Sequence, residues 1–110
     1  MSAYFFESNQ KNRREIFPGV TISTKSCEKM MLSHAVLAPN AVVPRHSHPH
    51  EQVGVILQGE AQFRIGTEVK TLEVGDMYVI PGDVEHEVTA GNEGVVALDI
   101  FHPVREEYVG

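Results

Sequence analysis

The 110-residue chain has one cysteine, Cys27, and no tryptophan. A single thiol cannot close an intrachain disulfide, so the fold must be held by its apolar core, and a reducing compartment fits. Cations are scarce: nine Lys and Arg stand against fifteen Asp and Glu, for a formal net charge of -6. That balance opposes non-specific binding to phosphate backbones and to anionic lipid, so neither nucleic acid nor membrane is an expected partner. Long apolar runs are missing as well. No stretch approaches the roughly 18 residues of a spanning helix, and Met1 to Glu7 shows no basic segment followed by an apolar one, so the cytoplasm is the expected location.

Also lacking is any long segment of helical periodicity. From about Val20 to Phe101 the chain reads as short apolar runs broken by Gly, Pro, Asn and Asp, which predicts an all-β domain. Strands are expected over Met30–Leu37, Val53–Leu57, Ala61–Ile65, Val69–Val74, Met77–Ile80 and Val95–Phe101, each rich in β-branched or aromatic residues. Ala61, Phe63 and Ile65 alternate with Gln62 and Arg64, as a half-buried antiparallel strand requires. Gly66-Thr67 is placed for a two-residue hairpin with glycine at its first central position. Further turns fall at Pro39-Asn40, Gly75-Asp76, Pro81-Gly82-Asp83 and Gly91-Asn92-Glu93-Gly94. Six short strands bury one face only by packing as two sheets or closing into a barrel, and a small jelly-roll barrel is the economical solution. Residues 1–110 are taken as one domain, with 1–19 as an N-terminal arm or edge segment.

Histidine is concentrated. Three of the six fall within five positions, in Pro44-Arg45-His46-Ser47-His48-Pro49-His50-Glu51-Gln52. On an extended backbone His46 and His48 project to one face and can aim two imidazoles at one point. The other reading is a polar surface loop. Either Gln52 or Glu51 could add a ligand: strand parity favours Gln52, whereas His46, His48 and Glu51 would make the face of a non-haem iron oxygenase. His50 reads as a rim group, His34 as an inward-facing or satisfied barrel histidine that could also line the pocket, His102 as structural and Cys27 as a buried or surface thiol rather than a nucleophile. Asp99 interrupts the apolar run Val95–Phe101, which is costly unless it has a partner or a task.

These residues carry a family resemblance. The His46-x-His48 pair followed by Gln52 and Gly59, and Gly75 followed by Pro81-x-Asp83 and His86, resemble the two signature motifs of the cupins. Gln52 stands where that family usually has glutamate, and Asp83 and Ala90 where it usually has glycine and asparagine. The resemblance implies a single-domain cupin barrel with His46, His48, Gln52 and His86 around one divalent cation. Imidazoles and an amide oxygen suit Ni, Zn, Fe, Mn or Co without choosing among them. Glutamine leaves the cation's charge uncompensated, which predicts a stronger Lewis acid that prefers an anionic ligand.

Asp99-x-Phe101-x-Pro103-x-Arg105-x-x-Tyr108, together with the histidine-rich first motif, is similar to the pectin-degradation cupins of the KdgF type. That likeness implies ring opening of 4,5-unsaturated uronates from pectin or alginate to open-chain keto sugars. Within it, Asp99 would be the acid/base group, Arg105 the fork for the substrate carboxylate and Phe101 a stacking or pocket-shaping ring. Arg105 could instead pair at the surface with Glu106 or Glu107. The expected partner is a small anionic sugar, and the expected assembly a homodimer. Two other functions fit the same residues: a metal-dependent dioxygenase on a small molecule, and a sugar-binding or sensory module without turnover.

Overall fold

A computed structural model describes residues 4–109. Eight antiparallel strands follow in chain order: β1 (Arg14–Phe17), β2 (Val20–Ser26), β3 (Met31–Leu37), β4 (Val42–His46), β5 (Glu51–Ile65), β6 (Glu68–Leu72), β7 (Met77–Ile80) and β8 (His86–His102). Single 3-10 turns at Gln10–Asn12 and Glu106–Tyr108 are the only helical segments among the described residues. The all-β fold expected from the chain is therefore the one adopted, and no helix is long and apolar enough to cross a membrane.

The two long strands organise the molecule. The first half of β5 pairs with β7 and with the second half of β8, which in turn pairs with β3. Its second half pairs with β6 and with the first half of β8, which also holds β4. Each long strand thus passes from one sheet to the other, bending where the register shifts at Ile56–Gln58 and Gly59–Ala61. Two packed sheets sharing two bent strands make the jelly roll.

Several elements differ from the expected ones. Val53–Leu57 and Ala61–Ile65 are one strand, because the residues between them bulge without breaking the ladder. The expected turn at Gly91–Gly94 likewise lies inside β8. β2 and β4 were not anticipated: Val20–Ser26 is mostly hydroxyl and charge, and Pro44 sits in β4. In the N-terminal segment Arg14–Phe17 forms an edge strand on β2, and residues 1–3 lie outside the described part. The Gly66 hairpin is present, with Gly66 at φ 60° and Ile65 opposite Glu68.

Inward-facing residues fill the space between the sheets, among them Val20, Ile22, Leu37, Ile56, Phe63, Ile80 and Val95. Packing is incomplete at one end, where a cavity of about 90 Å³ opens between the sheets. Apolar side chains line most of it, and His46, Gln52, His86, Asp99 and Arg105 are among the polar groups that face it.

Candidate active site

Three chain segments bring the imidazoles together. His46 ends β4, His86 begins β8 opposite it in the ladder, and His48 lies in the loop between β4 and β5. The loop is fixed by the turn after β7, since the Asp83 amide donates to the His48 carbonyl at 2.7 Å. Asp83 takes φ 65°, a left-handed conformation that aspartate tolerates better than most side chains and glycine adopts freely. The turn also approaches closely at Gly82, where a Cβ would meet the Pro49 carbonyl oxygen at 2.5 Å. His46 ends the strand and His48 lies just beyond it, ahead of the bend at Pro49-His50, and the two imidazoles converge as the spacing predicts.

One ring nitrogen from each of His46, His48 and His86 lies within 4.8 Å of the others. Which nitrogen is set by backbone. His46 Nδ1 lies 2.8 Å from the Pro44 carbonyl, His48 Nδ1 3.1 Å from the His50 carbonyl and His86 Nδ1 2.9 Å from the Val84 carbonyl. A carbonyl only accepts, so each Nδ1 carries the proton and each Nε2 keeps its lone pair. His86 Nε2 is buried without a hydrogen-bond partner. Burial, Arg105 and the neighbouring imidazoles lower the His48 pKa to about 4, and burial lowers that of His86, so both rings are neutral at pH 7.

Gln52 projects inward from β5, and its Oε1 sits 3.2 Å from His48 Nε2. Two lone pairs facing each other at that distance, together with the orphaned nitrogen on His86, make a donor set that could hold one cation. Three neutral imidazoles and an amide oxygen fit a divalent first-row metal. Glu51, the competing ligand, is exposed and points away from the cavity, so the His46, His48, Glu51 face does not form.

Asp99 is 7% exposed and lines the same cavity. Both of its hydrogen bonds end on Oδ1, from Gln52 Nε2 at 3.1 Å and from the Tyr78 hydroxyl. Burial raises its pKa from 3.8 to about 6, against the pull of these two donors. Burial and the Asp99 charge hold the Tyr78 phenol far above its ordinary value, so it remains a donor. Phe101 is buried edge-on against His48, with centroids 5.8 Å apart, and forms a wall rather than an open stacking platform. Arg105 lies over Phe101 and Tyr108 at 5.3 and 4.6 Å and lines the cavity, while its Nε pairs with Glu107 at 3.1 Å. The pair expected with Glu107 is present and takes one edge of the guanidinium, although the side chain is only 12% exposed and not a surface group.

His34 is corrected. Met31, Ser33, Ala35 and Leu37 face inward on β3, so His34 faces out, with Nδ1 3.4 Å from an Arg13 nitrogen. His50 borders the site, donating no ligand but supplying the carbonyl that orients His48. Cys27 is exposed. Tyr78 went unread in the sequence, although alternation within Met77–Ile80 turns it inward and a buried phenol needs an acceptor.

A histidine cluster at one end of a jelly roll, on these motifs, defines a cupin: the model for the Cupin domain matches residues 33–101, and the chain belongs to that family. Among curated proteins it is similar to the pectin degradation protein KdgF of Dickeya dadantii, 28% identical over 83 residues that cover 74% of this chain and 76% of the relative. Among solved structures it resembles an RmlC-like cupin from Shewanella frigidimarina, with TM-score 0.90, 26% identity and coverage of 98% of this chain and 97% of that one. The KdgF of a Halomonas species has the same fold, with TM-score 0.89, 24% identity and coverage of 98% and 100%.

Proposed function

We propose that this cupin opens the ring of 4,5-unsaturated uronate monosaccharides, from pectin or alginate breakdown, to open-chain keto sugars in a metal-dependent reaction. The observation that carries the reading is Asp99, a buried ionisable carboxyl lining one cavity with His46, His86 and the Arg105 guanidinium, where His48 converges on the same two imidazoles. Likeness to a pectin degradation protein supports the substrate class.

His46, His48, Gln52 and His86 would hold the cation, which supplies Lewis-acid charge beside the reacting oxygens. The reaction itself is an isomerisation. The anomeric hydroxyl loses its proton, the bond from C1 to the ring oxygen breaks, C1 becomes an aldehyde, and the enol left at C5 becomes a ketone as C4 gains a proton. Asp99 is the group that takes and returns that proton. Its Oδ1 is occupied by Gln52 and Tyr78, so Oδ2 is the working oxygen, and a pKa near 6 suits exchange close to neutrality. Arg105 receives the uronate carboxylate through its Nη nitrogens, because Glu107 holds Nε. Phe101 excludes water from the wall behind His48. With this function go a cytoplasmic setting and a homodimer, the latter visible by sedimentation.

The test is decay of the 4,5-alkene absorbance in lyase-generated unsaturated galacturonate, followed with metal-analysed protein. Acceleration should vanish on chelation and fall by about 10² to 10⁴ in Asp99→Asn that keeps its metal. Full turnover by that variant would remove Asp99 from the mechanism. Thermal stabilisation by uronates without product would make the chain a binding module, and oxygen consumption would make it a dioxygenase.

A further inference from the structure

Gly54 lies on the inward face of β5, opposite both Tyr78 of β7 and Asp99 of β8. Glycine in a strand interior weakens it, and Gly54 is not among the glycines with positive φ, so backbone conformation does not require it. Space does. A Cβ at this position would fall 2.5 Å from Asp99 Oδ1 and closer still to Cζ and the hydroxyl of Tyr78. The absent side chain is what lets the phenol reach the carboxylate from the neighbouring strand.

What that contact accomplishes follows from the donors and acceptors. Asp99 Oδ1 accepts from Tyr78 and from Gln52 Nε2. With Oδ1 accepting both bonds, the Gln52 amide turns its nitrogen toward Asp99. Its oxygen then faces His48 Nε2 at 3.2 Å, among the three lone pairs. Reversed, the amide would offer two hydrogens to the cation and repel it. A carboxylate free to rotate about χ1 and χ2 would hold that choice weakly. A carboxylate fixed by a second strong donor holds it firmly.

We propose that Tyr78, admitted by the missing side chain at Gly54, is a positioning residue that pins Asp99 and through it fixes the Gln52 amide with its oxygen toward the three histidines. The device rests on the metal-site part of the functional reading and not on the uronate substrate. It gives the buried phenol and the strand glycine one shared purpose, and neither belongs to the ligand set.

The experiment is metal titration of the full chain with Co²⁺ alone, reading both Kd and the visible ligand-field spectrum, with circular dichroism to confirm folding. Tyr78→Phe removes only the hydroxyl and should weaken Co²⁺ binding about tenfold, within the 10- to 100-fold usual for groups that orient ligands, and should alter the spectrum. Gly54→Ala should weaken binding at least as much, because its Cβ would crowd both the Tyr78 ring and Asp99 Oδ1. If Gly54→Ala does not fold, Tyr78→Phe alone decides. Unchanged Kd and spectrum in Tyr78→Phe would overturn the proposal. Because no turnover is read, the outcome is independent of the substrate: a chain inert toward uronates but sensitive to Tyr78→Phe keeps this device and loses only the reaction.

Discussion

Asp99 and His48 are pushed in opposite directions by the same burial. Asp99 rises from 3.8 to about 6, so its protonated form favours the fold: its contribution is complete below 3.8 and is lost as pH climbs through about 6. His48 falls from 6.5 to about 4, so its neutral form favours the fold, and its contribution is lost as pH drops from 6.5 through about 4. In the metal-free protein the two offset each other between about pH 4 and 6. Asp99→Asn removes one side of the balance. Its stability relative to the parent should therefore rise as pH goes from 4 to 6, measured as urea midpoints of the metal-free forms, and a difference independent of pH would contradict these ionisation states. Of the residues involved, the histidines and Asp99 were legible because their types are out of place where they stand. Gly54 and Tyr78 were not, since each is unremarkable until the register of three strands sets them face to face.

Elements were legible where alternation was clean and illegible where the chain bends. Ala61 to Ile65 and the Gly66 turn follow from period-two patterning and a positive-φ glycine. The continuity of β5 through Gln58-Gly59-Glu60 could not be read, because a polar tripeptide with a central glycine looks like a turn. Gly59 sits at φ 73°, and a Cβ there would strike the Gly94 carbonyl oxygen on β8. Replacing it combines left-handed backbone strain with a collision against main chain. Gly59→Ala should therefore cost about 2 kcal/mol or more, lowering the thermal midpoint by roughly 10 °C. Gly75→Ala shares the positive φ (91°) but has nothing within 4 Å, so a smaller loss is expected on the same scan. Equal losses would assign the whole cost to strain and none to the crossing of the sheets. β4 was missed for a different reason: Pro44 argues against a strand, and only its edge position on β8 makes proline acceptable there.

At the scale of the molecule, the site is a joint between segments distant in sequence. His46, His48, Gln52 and His86 come from the end of one strand, a loop, the start of a second strand and the start of a third. The unfolded chain does not assemble that donor set, so a bound cation stabilises the fold by linkage, by about 2.7 kcal/mol at a hundredfold excess over Kd. Metal-loaded protein should thus melt roughly 10 °C or more above the chelated form. His86→Ala should erase most of that difference while leaving the chelated form folded, and an unchanged gap would place the cation elsewhere. The spacing of short apolar runs and turn residues made the jelly roll expected, since such runs have few other ways to bury one face. The orientation of the imidazoles was not predictable from residue type, because the carbonyls of Pro44, Val84 and His50 set it and backbone leaves no trace there.

The Gly66 hairpin divides this joint unevenly in sequence and cleanly in chemistry. His46, His48 and Gln52 precede it; His86, Asp99 and Arg105 follow it. Cut at that turn, the chain becomes two fragments, each carrying one of the bent strands and neither carrying a complete coordination sphere. Reassociation of the pieces would restore both sheets and the centre together, so that metal capture becomes a reporter of complementation between halves of a single small protein.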